Sequence, residues 1–432
     1  MNKKRKINIA IVGLGNIGSF LYKHLILNKK SIKKQTNVDF EIKYVSFKNR
    51  FKKRKIKFPK KKILKNYLLA SKLPDIDIVV ELIGGSEGAA KKLVFNSLKN
   101  QKHVVTANKA LISKYGDTLS KLAEKNKVNL EYESAVAGGV PIIRVIKESL
   151  IANKIDKIYG ILNGTSNYIL SKMSETKLNF YDVLKDAKNL GYAERNPSAD
   201  LNGDDAKSKI QILSALSFNS LINKNNVHVE GIKFIDNIDI KNAKLLGFKI
   251  KHLAIAEIKN QKLLQRVHPC LVNKDSYISN VNGVLNAIII EGRPIGKFAI
   301  HGEGAGPGPT TLSLVSDICS ILRGNIKLPF SIPNKNRNKI KSIDISEQIF
   351  STYIRLDVID KKGVLSSITK ILSNNKISVK RLIQNPFKSK KFASIIIISH
   401  RAKNSDLLKT FNELSKKSFI IGKPKFIRIE NI

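Results

Sequence analysis

Carboxylates and a lysine are concentrated in one short stretch of the sequence. Residues 191–209, GYAERNPSADLNGDDAKSK, include Glu194, Asp200, Asp205 and Lys209. Asp205 and Lys209 are four residues apart, so a helix here places both on one face. An exposed ion pair at this spacing is common and contributes little stability. The same set of groups also suits an amino-acid-like substrate, which brings its own ammonium and carboxylate.

Polar residues also follow two apolar segments that are predicted to be neighbouring strands. The segment IDIVVEL ends before Gly84-Gly85, and HVVTAN ends beside Lys109. In an open α/β sheet, ligands bind in the crevice at the carboxyl ends of parallel strands. The sequence therefore predicts a ligand crevice near these two strand ends.

A glycine motif predicts a dinucleotide site. The apolar run INIAIV is followed by GLGNIG, residues 13–18, and then by a segment with helical spacing. In this setting Gly13 allows a tight turn, Gly15 lets the backbone approach a pyrophosphate, and Gly18 lets helix and strand pack closely. The strand–turn–helix context makes a dinucleotide site a better interpretation than a plain turn.

The second predicted strand, DFEIKYVSF, favours NADP over NAD. An NAD site usually has an acid at the end of this strand to hold the ribose hydroxyls. Here Asp39 and Glu41 lie near its beginning, whereas Lys48, Asn49 and Arg50 follow its end. Cations at that position suit a 2′-phosphate, and NAD stays open.

The chain alternates strands and helices over its first ~140 residues, which predicts a doubly wound α/β fold. One of these predicted strands is VNLEYESAV, residues 128–136. The middle mixes helical stretches with apolar strands and predicts an α+β domain. Residues 323–344 are rich in Pro, Asn and Lys, which predicts a linker. A βαββ-type pattern beyond them predicts a smaller third domain.

The net charge of +44, from 78 Lys and Arg against 34 Asp and Glu in 432 residues, raises the possibility of a nucleic-acid binder. The lysines are spread over the chain, and only residues 50–62 form a basic cluster, so no specific nucleic-acid partner is expected. Two cysteines without CxxC spacing predict neither disulfides nor zinc. No apolar stretch approaches the ~20 residues of a membrane helix. A cytoplasmic protein is expected.

Seven segments, in this order along the chain, resemble the homoserine dehydrogenase family. They are VGLGNIGS, DIDIVVELIGG, HVVTANKAL, YESAVAGGVPIIR, GILNGTSNYIL, LGYAERNPSADLNGDDAKSKIQIL and GEGAGPGPTTLSLVSDI. The tail resembles an ACT regulatory domain through DKKGVL, residues 360–365, and ISV, residues 377–379. Two positions depart from the family patterns: Lys362 replaces a usual proline and Asn196 replaces a usual aspartate, which puts substrate orientation in question.

The resemblance implies three domains of known type. These are a Rossmann-type NAD(P)-binding domain in residues 1–135, an α+β catalytic and dimerisation domain in residues 136–322, and a ferredoxin-like ACT domain in residues 346–432. Residues 323–345 would link the last two, and about residues 301–322 would return to the nucleotide domain. A homodimer or homotetramer is expected.

The resemblance also implies an activity, the reduction of aspartate 4-semialdehyde to L-homoserine by NAD(P)H in the pathway to threonine, methionine and isoleucine. Lys209 would donate the proton and Lys109 would lie near nicotinamide and substrate. The substrate would be held by Glu194, Asp205, Asp200, Tyr192 and Thr165. The cofactor would contact Gly13, Gly15, Asn16, Ile17, Gly18, Lys48, Arg50, Gly84, Thr106, Lys109, Gly191 and Gly304.

Two further expectations come from the resemblance. The YESAVAGGVP loop would hold a monovalent cation, with sodium preferred and potassium open, through Glu133, Val136, Gly138 and Val140. The ACT domain would bind L-threonine as an allosteric inhibitor, bind another amino acid, or only join subunits. A nucleotide- and amino-acid-sensing regulator without catalysis is the alternative, and it would need neither Lys109 nor Lys209.

Overall fold

The computed structural model describes residues 6–48, 56, 58–386 and 391–432, and its strands form two sheets. The first sheet is parallel, with strand order β2-β1-β3-β4-β5. Its central strands are apolar and buried on both faces, as a parallel sheet between helix layers requires. Its elements are β1 (Ile7–Val12), α1 (Asn16–Leu27), α2 (Lys29–Thr36), β2 (Phe40–Ser46), α3 (Leu69–Lys72), β3 (Ile78–Glu81), α4 (Ala89–Lys99), β4 (His103–Thr106), α5 (Lys109–Lys125) and β5 (Leu130–Glu131).

The middle of the chain forms a mixed sheet covered by helices. Its elements are α6 (Ile142–Arg144), which continues into a π-helical turn (Val145–Ser149), β6 (Lys154–Ile161), α7 (Gly164–Thr176), α8 (Phe180–Asn189), α9 (Ser198–Asn202), α10 (Asp204–Ser217), β7 (Val227–Val229), α11 (Asn237–Leu245), β8 (Phe248–Lys259), β9 (Lys262–Asn273), β10 (Leu285–Arg293), β11 (Gly296–Glu303) and α12 (Pro307–Leu322).

Helix α10 is the centre of this region, because most of its residues are buried. Its Ile210 and Leu213 belong to the same apolar core as Leu111 and Leu119 of α5 and Ile158 of β6. The core therefore fixes the start of α5 against the start of α10, and both helix starts carry candidate site residues.

The last part of the chain has ACT-like order and shares its sheet with the middle region. Its elements are β12 (Ile349–Ile359), α13 (Val364–Asn374), β13 (Val379–Pro386), β14 (Phe392–Ser399), β15 (Ala402–Lys403), α14 (Asn404–Leu414) and β16 (Lys425–Ile429). Strand β16 pairs with β12 on one side and with β9 on the other, so one sheet runs in the order β11-β10-β6-β8-β9-β16-β12-β14-β13. The sequence predicted a separate small domain and gave no sign of this continuity.

Helix α12 packs into the core of the nucleotide-binding region. Its Leu314 and Ile318 lie with Leu21 and Leu25 of α1 and with Ile9 of β1. Residues 301–322 thus bring the chain back from the mixed sheet to the parallel sheet.

The segment 323–345 is fastened to the protein surface rather than extended between domains. Phe330 is fully buried, and the guanidinium of Arg337 lies 3.9 Å from its ring centroid. The same guanidinium donates hydrogen bonds to the Ser220 carbonyl and pairs with Asp117 at 2.9 Å. These contacts explain how a Pro- and Asn-rich segment is held without regular structure.

The predicted strand over residues 128–136 is wrong beyond its first part. Only Leu130–Glu131 pairs as β5, and Glu133–Ala135 forms a 3-10 turn. The backbone here binds side chains instead of a neighbouring strand: the N–H of Glu133 donates to Asp317 at 3.0 Å. The Glu133 carboxylate in turn accepts from the N–H groups of Ile143 and Arg144, both at 2.8 Å.

Candidate active site

Two lysines from different helices converge on one carboxylate. The Nζ of Lys109, the first residue of α5, lies 2.7 Å from Oδ1 of Asp205. The Nζ of Lys209, one turn along α10, lies 2.8 Å from Oδ2 of the same residue. Asp205 and Lys209 are each 8% exposed, so this is not the surface ion pair that the spacing alone allowed. The strand-end lysine and the carboxylate–lysine stretch thus form one site.

Burial and charge separate the proton affinities of the three groups. Burial lowers the pKa of Lys209, and the Asp205 carboxylate opposes this shift without cancelling it. Burial acts in the same direction on Lys109, but its side chain is 41% exposed and Asp205 raises its pKa above the ordinary value. Burial would raise the pKa of Asp205, yet the two ammonium groups hold it far below its usual range. The pKa of Lys209 is therefore lowered while that of Lys109 is raised, so Lys209 holds its proton less firmly.

A hydrogen-bonded frame surrounds the pair. The Nζ of Lys209 donates to the carbonyl of Leu162 at 2.6 Å. Asn163 donates from one amide nitrogen to Asp200 at 2.7 Å and to Asp205 at 2.9 Å. Its amide oxygen accepts from the N–H of Ser166 and caps α7. The sequence analysis missed Asn163, although an asparagine directly before a predicted helix is a recognisable capping signal.

The other expected substrate-binding residues line one side of this frame. The Thr165 hydroxyl donates to the Tyr192 carbonyl at 2.6 Å. The Tyr192 ring lies 5.0 Å from that of Tyr168 and is half-exposed. Glu194 is exposed, and its charge helps to raise the pKa of Lys109. Burial raises the pKa of Asp200, and the hydrogen bond from Asn163 opposes that shift.

Asn196 keeps a structural role that an aspartate would also fill. Its side-chain oxygen accepts hydrogen bonds from the backbone N–H of Ser198 at 3.3 Å and from the Ser198 hydroxyl at 2.7 Å. Both bonds need only an acceptor oxygen at the entrance to α9. The replacement of the usual aspartate therefore preserves this turn.

A buried glutamate ties the two strand ends together. Oε1 of Glu81 accepts from the N–H groups of Ile83 and Gly84, and Oε2 accepts from the Thr106 hydroxyl at 2.6 Å. The Thr106 oxygen accepts from the N–H of Asn108. Glu81 is fully buried at the end of β3. Sequence reasoning missed it because a carboxylate within an apolar run does not show what it binds.

Asn108 completes the connection from Glu81 to Lys109. Its side-chain nitrogen donates to the carbonyl of Gly85 at 2.7 Å, and its oxygen accepts from the N–H of Leu111 and caps α5. Lys109 is the next residue. The glycine pair and the lysine thus form a single hydrogen-bonded unit at the carboxyl end of the parallel sheet.

The glycine turn after β1 has the geometry that a dinucleotide requires. Gly13 has a φ of +107°, and a Cβ there would lie 2.3 Å from the Leu82 carbonyl oxygen. A Cβ on Gly18 would lie 2.0 Å from the Gly13 oxygen, whereas one on Gly15 would face open space. No side chain among the described residues caps α1, so the first-turn N–H groups of Asn16 and Ile17 lack an acceptor within the helix. A pyrophosphate fits this arrangement.

The remaining expected cofactor residues differ in their surroundings. Gly84 and Gly191 have positive φ and open space around a Cβ position. Lys48 is exposed just beyond β2. Arg50 lies outside the described residues, as does most of the basic cluster 50–62.

Gly304 has a packing reason for lacking a side chain. A Cβ there would lie 2.1 Å from the side chain of Asn286, and the Gly304 carbonyl oxygen would lie 2.5 Å from a Cβ on Gly138. The glycine-rich segment after β11 is therefore pressed against the loop expected to bind a cation. Both polar side-chain atoms of buried Asn286 have no hydrogen-bond partner among the described residues.

Apart from the Glu133 carboxylate and the buried Ser134 hydroxyl, the oxygens of the expected cation loop, residues 133–140, belong to the main chain. Residues 133–138 are buried, and Ala137 and Gly138 have φ of +53° and +37°. The Gly138 carbonyl accepts from the Ser313 hydroxyl at 2.6 Å and the Val140 carbonyl from the N–H of Ile142 at 2.8 Å. Each carbonyl has a second lone pair. Each carboxylate oxygen of Glu133 accepts one hydrogen bond from the start of α6, and the described residues contain no cluster of three His, Cys, Asp or Glu side chains.

A dinucleotide turn and a buried lysine–carboxylate pair define an NAD(P)-dependent oxidoreductase. Residues 141–319 match the family profile of homoserine dehydrogenase, residues 13–133 match its NAD-binding domain and residues 352–418 match the ACT domain. The chain belongs to the homoserine dehydrogenase family, whose members are oxidoreductases that act on a CH–OH group. No described helix is long and apolar enough to cross a membrane.

Relatives in this family match along nearly the whole chain. The homoserine dehydrogenase of Neisseria gonorrhoeae is 37% identical over 402 residues, 92% of each chain. That of Helicobacter pylori is 37% identical over 430 residues, 99% of this chain and 100% of the relative. The crystal structure of a homoserine dehydrogenase from Thiobacillus denitrificans has a TM-score of 0.90 at 33% identity and covers 99% of both chains. A sensor without catalysis gains no support from these matches.

Glu81→Gln is expected to lower the dehydrogenase kcat roughly tenfold, because a charge-assisted hydrogen bond is worth about 1.5–3 kcal/mol. The glutamine nitrogen cannot accept the bonds that hold residues 83–84 or Thr106, so Lys109 loses its anchor. Glu87→Gln, in the same loop but exposed, serves as the control. A folded Glu81→Gln variant with wild-type kcat would contradict this role.

Proposed function

We propose that this chain reduces aspartate 4-semialdehyde to L-homoserine with NADPH, and that Lys209 supplies the proton. The observation that carries the proposal is the position of Lys209, buried on α10 with its ammonium 2.8 Å from Asp205. The reaction needs a proton donor at the carbonyl oxygen in a site that excludes water. When bound, the dinucleotide supplies a hydride to the aldehyde carbon.

Lys209 would protonate the oxygen that becomes the alcohol. One of its N–H bonds breaks as the O–H bond forms, which leaves a neutral amine that regains its proton from solvent. Burial lowers the pKa of this ammonium and so makes the transfer easier near neutral pH. Lys109 keeps its proton more firmly, because Asp205 raises its pKa, and would stabilise the same oxygen by its charge.

Asp205 is better suited to orienting the lysines than to holding substrate. Both of its oxygens are engaged by ammonium groups of the protein. We therefore assign binding of the substrate ammonium to Asp200 and Glu194, and Tyr192 and Thr165 line the same side of the site. Asp200 is half-buried within the frame and Glu194 is exposed at its rim, which suits a small zwitterion entering from solvent.

NADPH is the proposed coenzyme because exposed Lys48, and no acid, follows the end of β2 among the described residues. The Ser46 carbonyl accepts from the N–H of Gly13, so the strand end lies beside the dinucleotide turn. The acids near the start of β2 are already paired: Asp39, just before the strand, pairs with Lys33, and Glu41 on the strand pairs with Lys62. A ribose 2′-phosphate near Lys48 would meet no described carboxylate from this strand.

A monovalent cation is proposed for the carbonyl oxygens of Glu133, Val136, Gly138 and Val140. An oxygen-only set without a free carboxylate suits a singly charged hard ion such as sodium. The ion would brace the loop that contacts Gly304. Activity that is identical in sodium, potassium and choline buffers would count against it.

The ACT-like region is proposed to bind an amino acid, with L-threonine as the first candidate. Gly363 has a φ of +86° and directly precedes α13, so the loop retains its turn despite Lys362. Members of this domain class also join subunits, and a homodimer or homotetramer is proposed. Calorimetric titration with L-threonine tests binding, and the absence of binding heat at millimolar L-threonine would exclude it as the ligand. Sedimentation with and without L-threonine tests the oligomeric state.

Replacement of Lys209 is expected to lower kcat in both directions by roughly 10²–10⁴-fold, because a positioned proton donor contributes about that much. Lys209→Met keeps the length of the side chain, and Lys207→Met on the same helix is the control. Absorbance at 340 nm measures both reactions. Wild-type kcat in a folded Lys209→Met variant would remove this lysine from the mechanism.

The pH dependence of the two directions is expected to be opposite in sign. Reduction needs the charged lysine, so its kcat falls as pH rises through the Lys209 pKa, whereas oxidation of homoserine needs the neutral amine and its kcat rises. Because burial lowers this pKa, the change occurs below pH 10.5, the ordinary value for lysine. Profiles that move together in both directions would contradict the assignment.

Lys48→Glu is expected to raise the KM for NADPH roughly tenfold and to leave the KM for NADH nearly unchanged, since reversing an exposed charge is worth about 1–2 kcal/mol. Lys33→Glu, which affects the pair with Asp39 near the other end of β2, is the matched control. Equal effects on both coenzymes would mean that Lys48 does not face a 2′-phosphate.

A further inference from the structure

We propose that Arg428, on the ACT-like strand β16, and Glu230, in the catalytic region, together position helix α9 and thereby set the affinity for substrate. This inference rests on the proposed role of Asp200, which α9 carries. Neither residue touches the reacting groups, so both are positioning residues. Four consecutive contacts support the link.

The first contact is the shared sheet. Strand β16 pairs with β9 through Arg428 opposite Cys270 and Ile429 opposite Leu271, and the N–H of Glu430 donates to the Leu271 carbonyl. The Glu430 carboxylate is buried and lies 2.7 Å from the Nε of Arg266 on β9. The position of β16 is thus fixed relative to the catalytic sheet.

The second contact is the ion pair itself. Arg428 is 1% exposed, and its Nη1 lies 2.9 Å from both carboxylate oxygens of Glu230. Its Nε donates to the side-chain oxygen of Asn404 at the start of α14. Burial would raise the pKa of Glu230, but His228 and Arg428 hold it at about 2. The carboxylate is therefore charged, and the guanidinium and the His228 ring, 2.8 Å from Oε1, together set its direction.

The third contact joins Glu230 to α9 through the backbone. The N–H of Ile232 donates to the Leu201 carbonyl at 3.0 Å. A Cβ on Gly231 would lie 2.4 Å from that same oxygen, so the two segments touch with no room for a side chain. The segment that carries Glu230 is therefore in direct backbone contact with α9.

The fourth contact joins α9 to the active site. Leu201 follows Asp200, whose carboxylate accepts from Asn163, and Asn163 also binds Asp205. The backbone carbonyl of Asp200 accepts from the Ser166 hydroxyl at 2.9 Å. The path from the ACT-like sheet thus ends at Asp200, the carboxylate proposed to bind the substrate ammonium, and not at the dinucleotide turn.

The Arg428–Glu230 ion pair is better suited to fixing the position of a segment than to stabilising the fold. A buried ion pair loses much of its attraction to desolvation, and apolar residues of similar size often stabilise a protein as well. A guanidinium–carboxylate contact instead fixes distance and direction. A second buried arginine, Arg355, provides a comparison because it binds Asp239 and Asp236 at the start of α11 and has no contact with α9 among the described residues.

The test compares folded variants of the full-length chain. Arg428→Met and Glu230→Gln are expected to raise the KM for homoserine roughly three- to tenfold, the range in which coupling mutations act. Their kcat and their KM for NADP should change little. Arg428→Lys should restore part of the loss, and Arg355→Met should lower the melting temperature without changing the KM for homoserine.

A second variant leaves the ion pair intact, and a second measurement reports on α9 without relying on enzyme activity. Gly231→Ala pushes on the Leu201 carbonyl directly and should raise the same KM. Amide hydrogen exchange in residues 198–205 should speed up in Arg428→Met and not in Arg355→Met.

An unchanged homoserine KM in folded Arg428→Met, Glu230→Gln and Gly231→Ala would overturn the proposal, and so would an equal rise in Arg355→Met. Failure of the proposed function looks different, because the wild type would then oxidise no homoserine at all. Exchange rates in residues 198–205 still decide the structural link in that case.

Discussion

The attraction of two lysines to one buried carboxylate is the interaction on which this structure depends. Asp205 cannot remain charged where it is without cations, because a buried carboxylate alone would neutralise. Lys209 comes from its own helix, but Lys109 comes from the start of α5 in the nucleotide-binding region. The charge balance of the site is therefore complete only when the two regions are correctly packed. The shared apolar core of α5 and α10 supplies that packing.

The two lysines share one partner yet differ in how firmly they hold a proton. Lys209 is enclosed and hydrogen-bonded to a carbonyl, whereas Lys109 remains partly in water. Desolvation acts on both, but only the first has its pKa lowered. Chemically identical side chains thus acquire pKa values shifted in opposite directions, through burial and neighbouring charges together. This difference follows from the packing of α10, not from residue type or spacing.

Local patterns in the sequence were sufficient for most of the fold and part of the site. GLGNIG after a β-branched run predicts strand, turn and helix, because glycines are required where the backbone leaves no room for a side chain. The structure has that arrangement. The four-residue spacing of Asp205 and Lys209 is likewise local. Glu81 could not be found this way, because its partner Thr106 lies on another strand. The pairing of β16 with β9 was missed for the same reason, since backbone hydrogen bonds between distant strands leave no mark on composition.

Because β16 pairs with both β9 and β12, the boundary between the catalytic and ACT-like regions is not a place where the structure separates. The segment 323–345 looks like the place to divide the chain, and it carries no regular secondary structure beyond short turns. Yet a cut there would leave β16 on one fragment and its neighbour β9 on the other, each with unpaired backbone groups and one half of the Arg266–Glu430 pair. The catalytic and ACT-like regions are separate by sequence but share one sheet, so we expect neither region to keep its fold when the other is removed.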